Sequence, residues 1–136
     1  SVYISYLPAK SFSYSVEQKD DVRGRFVELL KTDSCGQVSC LYVNPGQTRG
    51  GHYHHYKTEK FYIAKGSARF RFYNLLTGEE AEQVVTDEKP KIVDTAPGWA
   101  HDITNIGDSE LVVVLWANEL FNPDRPDTIA SEVAKK

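Results

Sequence analysis

The stretch GQTRGGHYHHYKTEKFYIAKG, from Gly46 to Gly66, contains two histidines and a glutamate at a spacing typical of metal sites in small β-barrels. His52 and His54 are two residues apart, so on a β-strand both imidazoles leave the same face. Four residues of turn then allow Glu59, on a returning strand, to reach the same point. The later stretch PGWAHDITN offers His101 as a fourth ligand. This donor set predicts a metal site, and on chemistry alone it suits zinc, iron, manganese, nickel or copper.

Outside this stretch, β-rich segments alternate with turn signals that contain glycine, proline or asparagine. Many short strands at such a spacing predict an all-β fold of the sandwich or jelly-roll type. One helix is expected at 127–135, where an aspartate can cap the first turn and alanines follow. The predicted strands are 2–6, 25–31, 37–43, 51–54, 59–65, 68–74, 81–85, 91–95, 100–104 and 110–117.

Two motifs can be written from these residues. The first reads G-x5-H-x-H-x4-E-x6-G from Gly46, and the second reads G-x2-H-x3-N from Gly98 to Asn105. Both resemble the two cupin motifs, although Lys91 stands where the second motif usually has a glycine and Pro97 lies beside the expected proline position. The resemblance implies a cupin, a double-stranded β-helix that forms a jelly-roll barrel. We expect it to carry a short C-terminal helix.

The resemblance narrows at HYHHYKTEKF, at RFRF from Arg69 to Phe72, and at WANELFNPDRPDT near the end of the chain. These segments look like the C-terminal cupin domain of bifunctional capsular-polysaccharide enzymes of the CapF and WbjC type. In that family the cupin domain carries zinc and epimerises a UDP-linked 4-keto sugar at C3. A dehydrogenase-like domain on its N-terminal side then reduces the sugar with NADPH. The product feeds the synthesis of UDP-N-acetyl-L-fucosamine for capsular and O-antigen polysaccharides.

Length and composition favour one domain. The 136 residues are 40% hydrophobic and 26% charged, enough for a core of their own. We expect an arm at 1–21, a barrel at 22–126 and a tail at 127–136, within a longer chain, because the sequence lacks methionine and starts at Ser1. An arm without its own core and a sheet rich in aromatic residues predict a homodimer.

Charge and hydropathy exclude several partners. The formal net charge of −3 leaves no basic excess for a nucleic-acid backbone, and no run of about 18 apolar residues predicts a membrane span. No signal peptide is apparent, so we expect a cytoplasmic protein. The chain also lacks a G-x-G-x-x-G after a strand, so this domain alone should bind no NADPH.

Four residues are candidates for binding the sugar nucleotide. Arg69 and Arg71 share one face of a strand, and two guanidiniums facing inward would suit a diphosphate. The alternative is that this face is solvated and that Phe70 and Phe72 point inward. Arg49 and Trp99 complete the set: Trp99 can stack on a sugar or uracil, with core packing as its alternative, and Arg49 has a surface role as its alternative.

The candidates for proton transfer are His55, Tyr62 and Lys60. His55 faces away from His54 on strand parity, and at the turn it can swing over the mouth of the barrel as a free imidazole. If Glu59 points inward, Phe61 and Ile63 do as well, and Lys60 and Tyr62 then point away. Roles at the surface or in packing are therefore the alternatives for these two residues.

Three functions remain open at this point. The first is epimerisation of a sugar nucleotide, in which a divalent cation stabilises the enolate that forms beside the 4-keto group. The second is a metal-dependent dioxygenase or isomerase, because the same ligands serve oxygen chemistry with iron. The third is a binding or dimerisation module whose metal only braces the barrel. The family resemblance favours the first function, with zinc as the metal.

Overall fold

The computed structural model describes residues 9–54, 58–118 and 128–130, and for 10, 51–54 and 128–130 it describes the backbone alone. Within these residues the chain forms eleven β-strands and one 3-10 turn at Ala9–Ser11. The strands are β1 (Gln18–Asp21), β2 (Gly24–Lys31), β3 (Gln37–Val43), β4 (Thr48–His54), β5 (Glu59–Lys65), β6 (Ser67–Asn74), β7 (Glu80–Thr86), β8 (Ile92–Thr95), β9 (Trp99–Asn105), β10 (Leu111–Ala117) and β11 (Thr128–Ala130).

The strands form two antiparallel sheets. One sheet has six strands in the order β1-β2-β3-β10-β5-β8, and the other has five in the order β11-β4-β9-β6-β7. Strands that neighbour each other in sequence often lie in different sheets, as β4 and β5 do. This alternation produces the jelly-roll barrel that the sequence predicts. The strands predicted between residues 25 and 117 are confirmed, and the one predicted at 2–6 lies outside the described residues.

The two ends of the chain depart from the expected helix and arm. The helix predicted at 127–135 is wrong over Thr128–Ala130, which forms β11 and pairs with β4. Thr128 and Ile129 are β-branched, and the ladder with the edge of β4 outweighs the helical preference of the neighbouring alanines. At the other end, the last four residues of the expected arm form β1, an exposed and charged edge strand of the six-stranded sheet.

The core fills the space between the two sheets. Its centre is an aromatic contact across the sheets, in which the ring centroids of Phe61 and Phe70 are 5.6 Å apart in an edge-on arrangement. The ring of Phe72 stacks on Phe70 at 6.2 Å. Aliphatic side chains surround these rings: Leu41, Val43, Ile63, Ala68, Val85, Val93, Ile103, Leu111, Val113 and Leu115.

Alternation along two strands decides what faces this core. On β5, Glu59, Phe61 and Ile63 are buried while Lys60 and Tyr62 are exposed, which confirms the predicted parity. On β6, Phe70 is fully buried and packs in the core. The arginine face of β6 is therefore the outer face of the barrel, and the alternative with phenylalanines inward is the one observed.

Asn105, the last residue of the second motif, stabilises one end of the barrel. Its side chain is buried, and its Nδ2 donates hydrogen bonds of 2.8 Å to the carbonyls of Val43 and Ser109. Its Oδ1 accepts a third bond from the backbone of Gly107 at 2.8 Å. Because Val43 ends β3 while Ser109 lies between β9 and β10, this one amide joins the two sheets at their turn.

Within the described residues the only helix is the three-residue 3-10 turn, so no helix there is long and apolar enough to cross a membrane.

Replacement of Phe70 by alanine should lower the free energy of unfolding by about 3–5 kcal/mol, because it removes the ring that packs on both Phe61 and Phe72. Leu76→Ala is the control, since Leu76 is 93% exposed and its loss should change stability by no more than about 0.5 kcal/mol. Urea unfolding followed by fluorescence measures both. Equal effects of the two substitutions would contradict a core centred on Phe70.

Candidate functional site

A cavity of about 200 Å³ lies between the sheets, next to the aromatic core. The six-stranded sheet supplies four apolar side chains and one carboxylate, and the five-stranded sheet supplies an arginine, a histidine, an isoleucine and one glycine. A turn between β1 and β2 borders it. The lining residues are Arg23, Phe26, Leu41, Arg49, Gly50, Glu59, Phe61, His101, Ile103 and Leu115.

Glu59 and His101 meet in this cavity from opposite sheets. Glu59 is the first residue of β5, between Thr95 and Ala117, and His101 lies on β9 opposite Phe72. Both side chains are more than nine-tenths buried, and His101 Nε2 is 3.6 Å from Glu59 Oε1. The two residues are 42 positions apart in sequence. The fold thus brings together one member of each sequence motif.

The separation of these two atoms fits a shared metal ion. Imidazole nitrogens and carboxylate oxygens lie about 2.0–2.2 Å from zinc, so two such atoms around one tetrahedral centre are about 3.4 Å apart. The observed 3.6 Å is close to that value. Burial adds to the fit, because a buried carboxylate is stabilised when it is paired or binds a metal. The described half of the predicted ligand set therefore suits a divalent cation.

The other two predicted ligands lie on β4. The backbone of His52 is directly opposite His101, and that of His54 is opposite Thr128. The side chains of His52 and His54 are outside the described residues, so the complete set of four is not tested. Among the side chains that are described, no group of three or more His, Cys, Asp or Glu is arranged to hold a metal.

A β-bulge sets the register of β4 in front of His101. Gly50 pairs with Asp102 and His52 pairs with His101, so two steps along β4 match one step along β9. Gly50 has a φ of +106°, and a Cβ atom there would lie 2.8 Å from the carbonyl oxygen of His101. A glycine is therefore required at this position.

Arg23 and Arg49 are the arginines of the described part of the chain that line the cavity. Asp21 accepts two hydrogen bonds from the side chain of Arg23, from Nε at 3.1 Å and from Nη2 at 2.5 Å, and one from its backbone N–H at 2.8 Å. Arg49 Nη1 lies 3.9 Å from the same carboxylate. Hydrogen bonds from the Arg23 side chain and backbone lower the pKa of Asp21 to about 2. The pKa of Arg49 is lowered, mainly by burial and to a smaller extent by the positive charge of Arg23.

Of these three residues, only Arg49 is among the residues predicted from sequence to bind the sugar nucleotide. Arg23 and Asp21 were missed, because they lie more than 20 residues before the first motif. The aspartate and glycine that flank Val22 and Arg23 signal a turn but not its position in the fold. No pattern in the sequence connects this turn with Arg49.

The other predicted sugar-nucleotide residues lie outside the cavity. Arg71 is on the outer face of β6 and makes a two-pronged ion pair with the buried Asp102, at 3.1 and 2.6 Å. Its pKa is raised, mainly by these hydrogen bonds. Arg69 shares the outer face. Trp99 lines a separate groove of about 330 Å³ with Phe72 and Ile92. Of the two alternatives for this strand, the one with the arginines facing inward is not observed, because the phenylalanines of β6 pack in the interior.

The predicted proton-transfer residues are also not in the described cavity. Lys60 is on the outer face of β5, where Nζ is 2.7 Å from Asp94 Oδ1. Tyr62 is exposed on the same face. Neither is placed to exchange a proton with a ligand beside Glu59, since alternation along β5 turns both away from it. His55 lies outside the described residues.

Comparison with known proteins gives this geometry a context. The chain is 56% identical over 135 residues to the UDP-2-acetamido-2,6-beta-L-arabino-hexul-4-ose reductase of Pseudomonas aeruginosa. The matched region covers 99% of this chain and 36% of that protein. The capsular polysaccharide assembling protein CapF of Staphylococcus aureus matches with a TM-score of 0.91 and 43% identity, over 96% of this chain and 38% of that one. The chain therefore spans little more than a third of either relative.

A more distant structure shows how general the fold is. Oxalate decarboxylase OxdC of Bacillus subtilis matches with a TM-score of 0.67 and 20% identity, over 84% of this chain and 29% of that one. At this identity the likeness shows the fold alone, which is the cupin barrel. Residues 19–129 match the family described as the polysaccharide biosynthesis C-terminal domain. The chain belongs to that family.

Proposed function

We propose that this domain epimerises a nucleotide sugar at C3, acting on a UDP-2-acetamido-2,6-dideoxy-4-keto-hexose in capsular or O-antigen polysaccharide synthesis. The product class would be UDP-N-acetyl-L-fucosamine precursors. The observation that carries the proposal is the buried Glu59–His101 pair, 3.6 Å apart in a cavity between the sheets. The names of the two relatives supply the substrate class, since one acts on a UDP-linked hexulose and the other assembles capsular polysaccharide.

The Pseudomonas relative is named as a reductase, which agrees with a division of epimerisation and reduction between two domains. This chain corresponds to 36% of that protein, so a reducing domain has room in the remainder. We assign the 4-keto reduction with NADPH to such a domain and the epimerisation to the cupin barrel. Inversion at C3 consumes no hydride, because the proton removed from one face is replaced by a proton on the other.

A divalent metal, for which zinc is our choice, would be held by His52, His54, Glu59 and His101. When bound it supplies Lewis-acid stabilisation of the negative charge that develops on the 4-keto oxygen after C3 loses its proton. Glu59 and His101 are both buried at one point of the cavity. His52 is included because its backbone lies opposite that of His101.

The apolar side chains of the cavity have their own part in this chemistry. Phe26, Leu41, Phe61 and Leu115 line the side that faces the six-stranded sheet. They exclude water from the sugar ring, which strengthens the electrostatic interactions within the cavity. His55 remains the predicted proton carrier. Glu59 and His101 are the acid and base that line the described cavity, and we assign both to the metal.

Metal content tests the ligand set. Purified protein should contain one divalent ion per chain, and His54→Ala or Glu59→Ala should reduce this to a small fraction, because a lost ligand leaves a vacant position. His55→Ala is the matched control, since it removes a neighbouring imidazole that the set does not use. Elemental analysis by mass spectrometry measures the metal content of each protein. Stoichiometric metal in a His54→Ala, Glu59→Ala double variant would place the site elsewhere.

Isotope exchange tests the reaction. In deuterium oxide without NADPH, the metal-loaded domain should exchange the C3 hydrogen of the 4-keto sugar nucleotide and raise its mass by one unit, because abstraction needs only a base, an acid and a stabilised enolate. Mass spectrometry of the recovered sugar nucleotide reads the result, with heat-denatured protein as the control.

The other outcomes of these two measurements separate the alternatives. No exchange by folded, metal-loaded protein would favour a domain whose metal braces the barrel. Exchange that persists after removal of the metal would support the epimerase function and would show that the metal has a structural role. Iron as the native metal, with consumption of oxygen, would favour a dioxygenase.

The homodimer remains part of the proposal. Phe12, Tyr14 and Val16 alternate along the segment before β1, and all three are exposed. We expect light scattering at micromolar concentration to give the mass of a dimer, and a Phe12→Ser, Tyr14→Ser variant to shift towards monomer, because it removes apolar area available to a partner. Leu76→Ser is the control, because Leu76 is an apolar residue that is even more exposed than Phe12 and Tyr14. A wild-type monomer would contradict the dimer.

A further inference from the structure

Two guanidiniums and one carboxylate meet beside the cavity among the residues that the structure describes. Arg23 and Arg49 both line the cavity, and Asp21 is the carboxylate that contacts the two guanidiniums. Among these three side chains, one negative and two positive charges leave a surplus of one positive charge, while the other carboxylate of the described lining, Glu59, is buried beside His101. Asp21 is also much closer to one arginine than to the other. Its carboxylate is hydrogen-bonded to Arg23 Nη2 at 2.5 Å, whereas Arg49 Nη1 is 3.9 Å away.

We propose that Arg23 and Arg49 bind the diphosphate of the nucleotide sugar at the mouth of the cavity. The identity of the ligand rests on the proposed function, whereas the anion site rests on the two arginines. A guanidinium presents its donors in a planar fork that matches phosphate oxygens, so two of them can bind a diphosphate with several charge-assisted hydrogen bonds.

The burial of Arg49 favours an anionic ligand. Its side chain is 17% exposed, against 44% for Arg23. Burial and the nearby charge of Arg23 both disfavour the charged form of Arg49, as the lowered pKa records. A diphosphate that contacts both guanidiniums would offset the effect of Arg23, because it adds negative charge beside the two positive groups in addition to that of Asp21. Ligand binding therefore relieves a cost that the unliganded site carries.

The size of the cavity determines which part of the ligand enters it. About 200 Å³ is less than the roughly 300–1,000 Å³ of pockets that enclose a drug-sized molecule. The sugar would occupy the inner end beside Glu59 and His101, and the diphosphate would lie at the rim. Arg49 comes from the five-stranded sheet and Arg23 from the turn before β2, so the two approach the rim from different sheets.

The other arginines whose side chains the structure describes do not line the cavity. Arg71 is neutralised by its two-pronged ion pair with Asp102 on the outer face. Arg25, two residues after Arg23, has its guanidinium carbon 4.8 Å from the ring centroid of Tyr42 and does not line the cavity. Arg25 is therefore a matched control: it belongs to the same hairpin and has the same charge, but it lies on the opposite face of the sheet.

The test is a calorimetric titration of UDP, without a sugar, into the metal-loaded protein at fixed salt. Arg49→Gln and Arg23→Gln should each weaken UDP binding about tenfold to hundredfold, as expected for loss of charge-assisted hydrogen bonds. Arg25→Gln should leave the affinity within about twofold. Arg49→Lys, which keeps the charge but loses the planar fork, should fall between the wild type and Arg49→Gln. Thermal unfolding of each variant checks that it is folded.

Two results would overturn the proposal: wild-type protein that does not bind millimolar UDP, or Arg23→Gln and Arg49→Gln variants that bind it as tightly as the wild type does. If the sugar nucleotide nonetheless exchanges its C3 hydrogen in deuterium oxide, the epimerase function stands and the arginine site alone fails. If UDP binding depends on both arginines while no exchange occurs, the anion site is supported and the epimerase function fails.

Discussion

The site depends on the packing of the Phe61 ring between the two sheets. The ring packs edge-on against Phe70 at 5.6 Å and against the imidazole of His101 at 5.8 Å, so one side chain of the six-stranded sheet meets two elements of the other sheet. Glu59 lies two residues before Phe61 and therefore on the same face of β5. The packing that joins the sheets thus also determines where the carboxylate meets the imidazole. Core and site are one arrangement, in which the apolar contact supports the polar pair.

The part of the site that lies on regular strands was predictable from sequence. Burial along β5 follows a strict period of two, so the inward position of Glu59 implied those of Phe61 and Ile63. The motifs named His101 as the partner of Glu59, and the structure brings them within 3.6 Å. Turn residues marked most strand ends. These features depend on local periodicity, which a single sequence displays directly.

The features that were not predictable depend on contacts between distant segments. On β6, each face has a plausible interior set, arginines or phenylalanines, and alternation alone cannot choose between them. The choice followed from the aromatic packing of Phe70, which involves another sheet. Arg23 was missed because the chain reaches the cavity mouth through a turn far from the motifs. At Thr128–Ala130 the edge of β4 decided the conformation, although the local composition favours a helix.

The bulge in β4 selects one of two registers that would differ by one residue. With the bulge, His52 lies opposite His101; in a regular ladder that kept Gly50 opposite Asp102, Gly51 would take that place and His52 would move to a position opposite Ala100. Such a slip exchanges the two faces for every following residue of the strand. The left-handed backbone of Gly50 selects between these registers. A substitution to valine there would disfavour the bulge, so a change that touches no ligand could dismantle the predicted metal site by sliding one strand.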